Sequence, residues 1–292
     1  MSARILMWFR QDLRINNNPA LYNASLLGDV IPLYHFQTNL GKNDQIGETG
    51  KWWLHHSLKS LDADLDNNLV ISNGDALKVI SNVCNQHSIN YVFFNRCFEP
   101  WRVKQDNELV HILKNHNVKV NIYNGSLLWN PDCIKKDDGT PYKVFTPFYK
   151  KGCLNQPQPS EKELIPKLSI HKINTYCQLE ELKLLPKNKW YKKLENHWEI
   201  SEKAAKQKLD KFITHGLNDY KNGRNFPSKK NVSQLSPYLH WGQISPNTIW
   251  NNIKKIEDSE NTIHFKSELG WREFSYYLLF HLSYLLYHLF IY

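Results

Sequence analysis

The chain has 292 residues, of which 37 are Lys or Arg and 28 are Asp or Glu, a formal net charge of +9. Hydrophobic residues make up 41% and charged residues 22%, enough to bury sizeable cores, which excludes a disordered or collagen-like polymer. Cys84, Cys97, Cys133, Cys153 and Cys177 form no CxxC pair and are odd in number, so neither a disulfide framework nor a metal site is expected, and a reducing cytoplasm is the expected setting.

The length suits two domains. Met1 to Arg14 is a strand-like apolar run interrupted by Arg10, Asp12 and Arg14, with no signal-type apolar region or cleavage site. Ile5 to Phe9, Val30 to Phe36, Leu69 to Ser72, Tyr91 to Asn95 and Val118 to Tyr123 read as strands. Between them Pro19 to Leu27, Lys51 to Asp66, Asp75 to His87 and Arg102 to His116 read as helices, with Asp75 as an N-cap. Strand and helix alternating in this way predict an α/β domain over residues 1–130, a doubly wound sheet of five parallel strands.

Residues 131–196 lose that pattern and become rich in Pro, Lys, Asn and Gln. They read as a connector wrapping from one domain to the next, anchored at Val144, Phe145 and Phe148. From Ser201, an N-cap, the period turns helical, with Ala205, Leu209, Phe212, Ile213 and Leu217 on one face. Residues 197–292 therefore read as an all-α domain whose central helix begins near Phe265. Ser275 to Tyr292 contains no Asp, Glu, Lys or Arg but carries His281, His288 and five tyrosines, so it reads as a buried helix and not as a membrane span.

The charge is unevenly placed. Residues 1–150 hold 16 basic and 14 acidic side chains, a balance of +2, and residues 151–292 hold 21 and 14, a balance of +7. A polyanion would dock on the second half, although a lysine-rich surface also serves solubility alone. Ten tryptophans direct attention to aromatic residues beside basic ones.

The stretch Asn231 to Pro246 packs two helix starts into sixteen residues. Ser236 reads as an N-cap before Pro237, Gly242 ends that helix, and Ser245-Pro246 starts the next. Such starts suit a pyrophosphate; simple capping of a helical hairpin is the alternative. Upstream, Tyr220 and the turn Gly223-Arg-Asn-Phe-Pro227 precede Lys229 and Lys230, and Arg224 is a candidate for a phosphodiester or a solvated turn charge. Downstream, Glu268, Trp271, Arg272, Glu273 and Phe274 cluster in an apolar context; Glu268 and Arg272, one helical turn apart, are placed to pair.

Trp8-Phe-Arg-Gln-Asp-Leu-Arg14, Lys143-Val-Phe-Thr-Pro-Phe148, Gly223-Arg-Asn-Phe-Pro227, Leu235-Ser-Pro-Tyr-Leu-His-Trp-Gly-Gln-Ile-Ser-Pro246 and Glu268-Leu-Gly-Trp-Arg-Glu-Phe274 together resemble the DNA photolyase/cryptochrome family. The resemblance is strongest to its bacterial class I cyclobutane pyrimidine dimer photolyases, and the motifs occur in the family's order along the whole chain. It implies an antenna-binding α/β domain, the connector and a helical flavin domain. It also implies light-dependent repair of cyclobutane dimers in DNA by electron transfer from reduced FAD, the cofactor carrying the chemistry. By the resemblance Tyr220, Val232, Ser233, Gln234, Leu235, Ser236, Phe265 and Arg272 would hold FAD, and Arg224 a DNA phosphate. Glu268 and Trp271 would recognise the flipped-out dimer, which costs less to lift from the duplex than a normal pair.

Two local departures stand out. Val232-Ser-Gln-Leu-Ser236 replaces the family's usual Thr-Ser-Arg-Leu-Ser, losing a hydroxyl and a positive charge. Trp101-Arg102 stands where folate-binding members carry Asn-Glu, so the antenna pigment, folate or deazaflavin, is left open. Family members also continue beyond the Trp-Arg-Glu-Phe helix, so the resemblance implies an incomplete, truncated helical domain, inefficient repair by this chain alone, and self-association through the apolar helix. The rival readings are a cryptochrome-like sensor, an inactive remnant, and a plain nucleotide-binding α/β protein, the last leaving the helical half unexplained.

Overall fold

The computed structural model describes residues 2–41 and 44–289, with side chains to Leu282. Strands β1 (Ala3–Phe9), β2 (Gly28–Gln37), β3 (Val70–Gly74), β4 (Tyr91–Asn95) and β5 (Lys119–Tyr123) form one parallel sheet in the order β3-β2-β1-β4-β5. Helices α1 (Pro19–Leu27), α2 (Glu48–Asp64), α3 (Ala76–Gln86) and α4 (Pro100–Asn115) supply the crossovers. Both faces of the central strands are covered, which is why β1, β2 and β4 carry apolar runs such as Ile5 to Phe9, whereas the edge strand β5 keeps Lys119 and Asn121 and is only part-buried. Ile5, Met7 and Phe9 face α1 and α2, whereas Leu6 and Trp8 face α3 and α4. Asp75 caps α3 as the sequence predicts, its carboxylate accepting from the Lys78 amide at 3.2 Å.

The connector does more than span. The backbone at Ile170 bridges Val30, and the Tyr176 and Cys177 amides donate to the Ile71 carbonyl at 3.0 and 3.1 Å, covering the edge beside β3. Its expected anchors divide: Phe148 is fully buried and Phe145 half-buried, but Val144 is 61% exposed. The backbone turns into Phe145–Pro147 immediately after Val144, so Phe145 and Phe148 face inward and Val144 is left outside.

The helical part comprises α5 (Glu202–Lys211), α6 (Ser236–Trp241), α7 (Pro246–Lys254) and α8 (Glu260–Leu289), with tight turns from Phe212 to Gly223. Ser201 and Ser245 cap α5 and α7 as expected. Ser236 does not cap α6. The Leu235 carbonyl already accepts from the Leu239 amide at 2.9 Å, so the helix starts one residue earlier and the Ser236 hydroxyl makes no capping bond. Gly242 ends α6 at φ +72°, where a Cβ would strike the Gln11 carbonyl and Asp12 Cα.

That contact belongs to a clamp built by the loop after β1. The Leu13 amide donates to the Trp241 carbonyl at 3.0 Å, and the Asn17 amide side chain to Thr248 Oγ1 at 2.8 Å. Buried Arg14 donates to the carbonyls of Gly242 at 2.9 Å, Gly125 at 2.8 Å and Asn17 at 2.7 Å. Burial lowers its pKa to about 10. Glu202 of α5 receives the Ile15 amide at 2.8 Å. One continuous apolar core accordingly runs from a face of the sheet into the helical part.

Helix α8 is sewn to the connector from the other side. Tyr277 Oη donates to the Ile134 carbonyl at 2.8 Å and accepts from the Tyr142 amide at 3.0 Å. Leu278, Leu279, Phe280 and Leu282 are half-buried. The expected apolar face continues through Leu285, Leu286, Leu289 and Phe290, which lie outside the residues whose side chains are described. Among the described residues no helix is long and apolar enough to cross a membrane.

Candidate functional site

The clamp fixes α6 and α7 beside the first half of α8, and an open cleft of about 370 Å³ lies between them. Tyr220, Ser233, Leu235, Ser236, Phe265, Glu268 and Arg272, all assigned from the sequence, line this one cleft. Helical spacing explains their convergence: 265, 268, 269, 272 and 276 recur on one face of α8. Tyr220 stands edge-on to Phe265, with centroids 5.1 Å apart, and burial lifts the Tyr220 hydroxyl above its ordinary pKa.

The remaining assigned residues sit outside the cleft. Val232 is largely exposed, and Gln234 adopts φ +55°, with its side-chain carbonyl accepting from Lys208 Nζ at 2.8 Å. Lys208 thus brings a positive charge beside the position where the sequence lacks one. Trp271, 46% exposed, stacks on Phe145 of the connector.

Glu268 and Arg272 do not pair. Glu268 instead forms an ion pair with Arg224, and His264 Nε2 lies 3.6 Å from the same carboxylate. Arg224 Nη1 also contacts His264 Nε2 at 3.2 Å. Arg272 donates to the Ser126 carbonyl at 2.7 Å and lies 3.4 Å from Glu273 Oε1. The physical reason is competition: a buried carboxylate and a backbone carbonyl hold Arg272 from behind, while Arg224 reaches Glu268 from the preceding turn. Glu273 also accepts the Leu128 amide at 2.9 Å, and burial lifts its carboxyl to about 7 against the pull of Arg272 and the backbone amides.

Sequence reasoning missed His240, Tyr276 and His264. Tyr276 stands four residues after Arg272, and His240 four after Ser236, so both were readable from the helical period once one partner was placed. His264 precedes Glu268 by the same interval.

This donor set fits a dinucleotide. Ser233 and Ser236 offer hydroxyls and Arg272 a cation, while Tyr220 and Phe265 supply aromatic walls and Leu235, Ile249 and Leu269 an apolar floor. A second cleft, of about 200 Å³, opens at the C-terminal ends of β1 and β2, between Trp8, Tyr34, His35, Trp101, Arg102 and Trp241. Its His35 accepts or donates at Ser72 Oγ, 2.9 Å away, and burial lowers the imidazole pKa to about 4.

A family model described as DNA photolyase matches residues 5–166. A deoxyribodipyrimidine photo-lyase of Agrobacterium fabrum is 35% identical over 96% of this chain and 60% of its own length. Cryptochrome-2 of Arabidopsis thaliana is 29% identical over 96% of this chain and 49% of its own. The crystal structure of a bacterial class III photolyase from Agrobacterium tumefaciens superposes with a TM-score of 0.89 at 34% identity, covering 97% of this chain and 60% of that one. The chain therefore spans about 60% of the length of the photo-lyase it matches.

Proposed function

The chain belongs to the DNA photolyase family, and we propose that it acts in the light-dependent repair of cyclobutane pyrimidine dimers in DNA, with reduced FAD held in the cleft beneath α8. The observation that carries this reading is the convergence of Tyr220, Ser233, Ser236, Phe265, Glu268 and Arg272 on one cleft, with Trp271 beside it on α8. When bound, reduced FAD supplies the electron that opens the dimer.

The residues of the chain do the positioning. Ser233 and Ser236 hydrogen-bond the diphosphate, and Arg272, fixed by Ser126, adds positive charge. Tyr220 and Phe265 wall the cleft. Glu268 hydrogen-bonds the flipped-out dimer, Trp271 packs against it, and Arg224 exchanges Glu268 for a DNA phosphate. An antenna pigment, folate or deazaflavin, is assigned to the smaller cleft beside Trp101 and Arg102. The reading divides the chain into an α/β antenna domain over 1–130, a connector over 131–196 and a helical flavin domain from 197. It sets the chain in the cytoplasm and includes self-association through the apolar end of α8.

The second reading is a cryptochrome-like sensor or an inactive remnant, favoured by the cryptochrome relative and by the ion pair that already occupies Glu268. The deciding experiment reconstitutes the chain with FAD, reduces it and illuminates dimer-containing oligonucleotide. Flavin co-eluting with the chain and slow light-dependent loss of dimers are expected, with Glu268→Ala lowering that rate by about a further 10- to 100-fold, the scale of a lost hydrogen bond to a charged group. Flavin binding without repair or dimer preference would select the sensor reading; no flavin binding would select the remnant.

A further inference from the structure

Trp271 is 46% exposed, and an indole so placed on a helix ordinarily samples several rotamers. Here it is held. The ring of Phe145, from the connector, lies parallel to it with centroids 3.8 Å apart and planes inclined by 10°. Phe274 meets the indole edge-on at 6.0 Å. Phe145 is itself supported, because Tyr149 stacks on it at 5.5 Å and 10°. Tyr149 in turn lies against Gly270, where a Cβ would strike its ring. A run of contacts thus leads from the backbone of α8, out through two connector aromatics and back to the neighbouring residue of the same helix.

Core packing accounts for one side of Phe145, whose ring meets buried Phe274 at 5.9 Å, but not for the stack on Trp271. Phe145 spends its face on a residue that stays open to water, between Val144 and Thr146, both exposed. A stack on one face of an indole fixes the ring plane and presents the opposite face, the geometry a protein uses to meet an unstacked base. We propose that Phe145 is a positioning residue for damage recognition, holding Trp271 in the orientation that meets a pyrimidine dimer, so that the connector supplies part of the recognition surface. This rests on the reading of Trp271 as a dimer contact.

The test uses the whole 292-residue chain. Its affinity is measured by fluorescence anisotropy for an oligonucleotide carrying one thymine dimer and for the same oligonucleotide undamaged, with Phe145→Ala, Phe145→Leu and Phe145→Tyr as variants. Losing the pre-set rotamer is expected to weaken dimer binding by about 3- to 10-fold in the Ala and Leu variants, the scale of one side chain immobilised on binding. Binding of undamaged DNA stays unchanged and Phe145→Tyr restores the parent value. Phe145→Leu keeps most of the volume without the π face, so the test survives if the Ala variant misfolds. Equal losses on both oligonucleotides, unchanged dimer binding, or tighter dimer binding would overturn the proposal; the last would mean that Phe145 blocks the face a dimer needs. A parent chain with no dimer preference would instead overturn the damage-binding reading, and the proposal with it.

Discussion

Glu268 and Glu273 stand five residues apart on α8 and meet opposite fates. Glu268 is part-exposed in its pair with Arg224, whereas Glu273 is 3% exposed with its carboxyl lifted from 4.5 to about 7. Below pH 4.5 the carboxyl is neutral in both folded and unfolded chains and costs nothing. Between 4.5 and 7 the folded state holds the proton more tightly, so stability from this group is lost as pH rises and is gone above about 7. Glu273→Gln removes the titration. Urea denaturation from pH 4.5 to 7.5 should show the variant gaining on the parent by about 3 kcal/mol across that window. His35, with its pKa lowered to about 4, acts in the opposite sense in both proteins and cancels from the difference. A difference that does not change with pH would mean that Glu273 is ionised throughout. At this scale the sequence identified the cleft residues that share a helical face, but it mispaired Glu268. Spacing along one helix says which groups can meet, and not whether Arg224 or a buried carboxylate competes for them.

Among the elements, the turn between α6 and α7 carries the most structural consequence, because it docks the cleft onto the loop after β1. Gly242→Ala must hold a Cβ at φ +72° and push back the Gln11 carbonyl. About 2 to 4 kcal/mol of stability should be lost, combining the left-handed penalty with overpacking. Thermal unfolding measures it, and a loss under about 1 kcal/mol would show that the β1 loop yields. The sequence predicted Gly242 as a helix end through turn chemistry, yet nothing local could reveal that Gln11 lies against it. The strands and helices of the first half were legible for a related reason: a sheet covered on both faces writes its burial as continuous apolar runs. The connector was not. Its hold on Val30 and Ile71 runs mainly through backbone amides and carbonyls, which leave no periodic trace in side chains.

For the molecule as a whole, the +7 balance of residues 151–292 predicts a polyanion surface, and the structure distributes that charge unevenly. Arg224 is paired with Glu268 and Lys229 with Asp219 at 2.8 Å, while Lys230 is exposed with no ion pair among the described residues. Exposed pairs contribute little, about 0 to 1 kcal/mol, so a phosphate can displace either carboxylate. Each exchange nonetheless returns a carboxylate beside the DNA, which opposes binding. Three unpaired cations contacting three phosphates would contribute a salt slope of about 2.7 in log K against log salt. Replacing Arg224, Lys229 and Lys230 together by alanine should therefore flatten the slope by only about 1 to 2, of which Lys230→Ala alone contributes about 0.9. Binding to undamaged duplex between 50 and 200 mM salt, roughly the range over which such slopes are resolved, provides the measurement. An unchanged slope in the triple variant would remove this turn from the DNA surface and shift attention to the exposed Lys143, Lys150 and Lys151 of the connector, which flank the aromatic stack on Trp271.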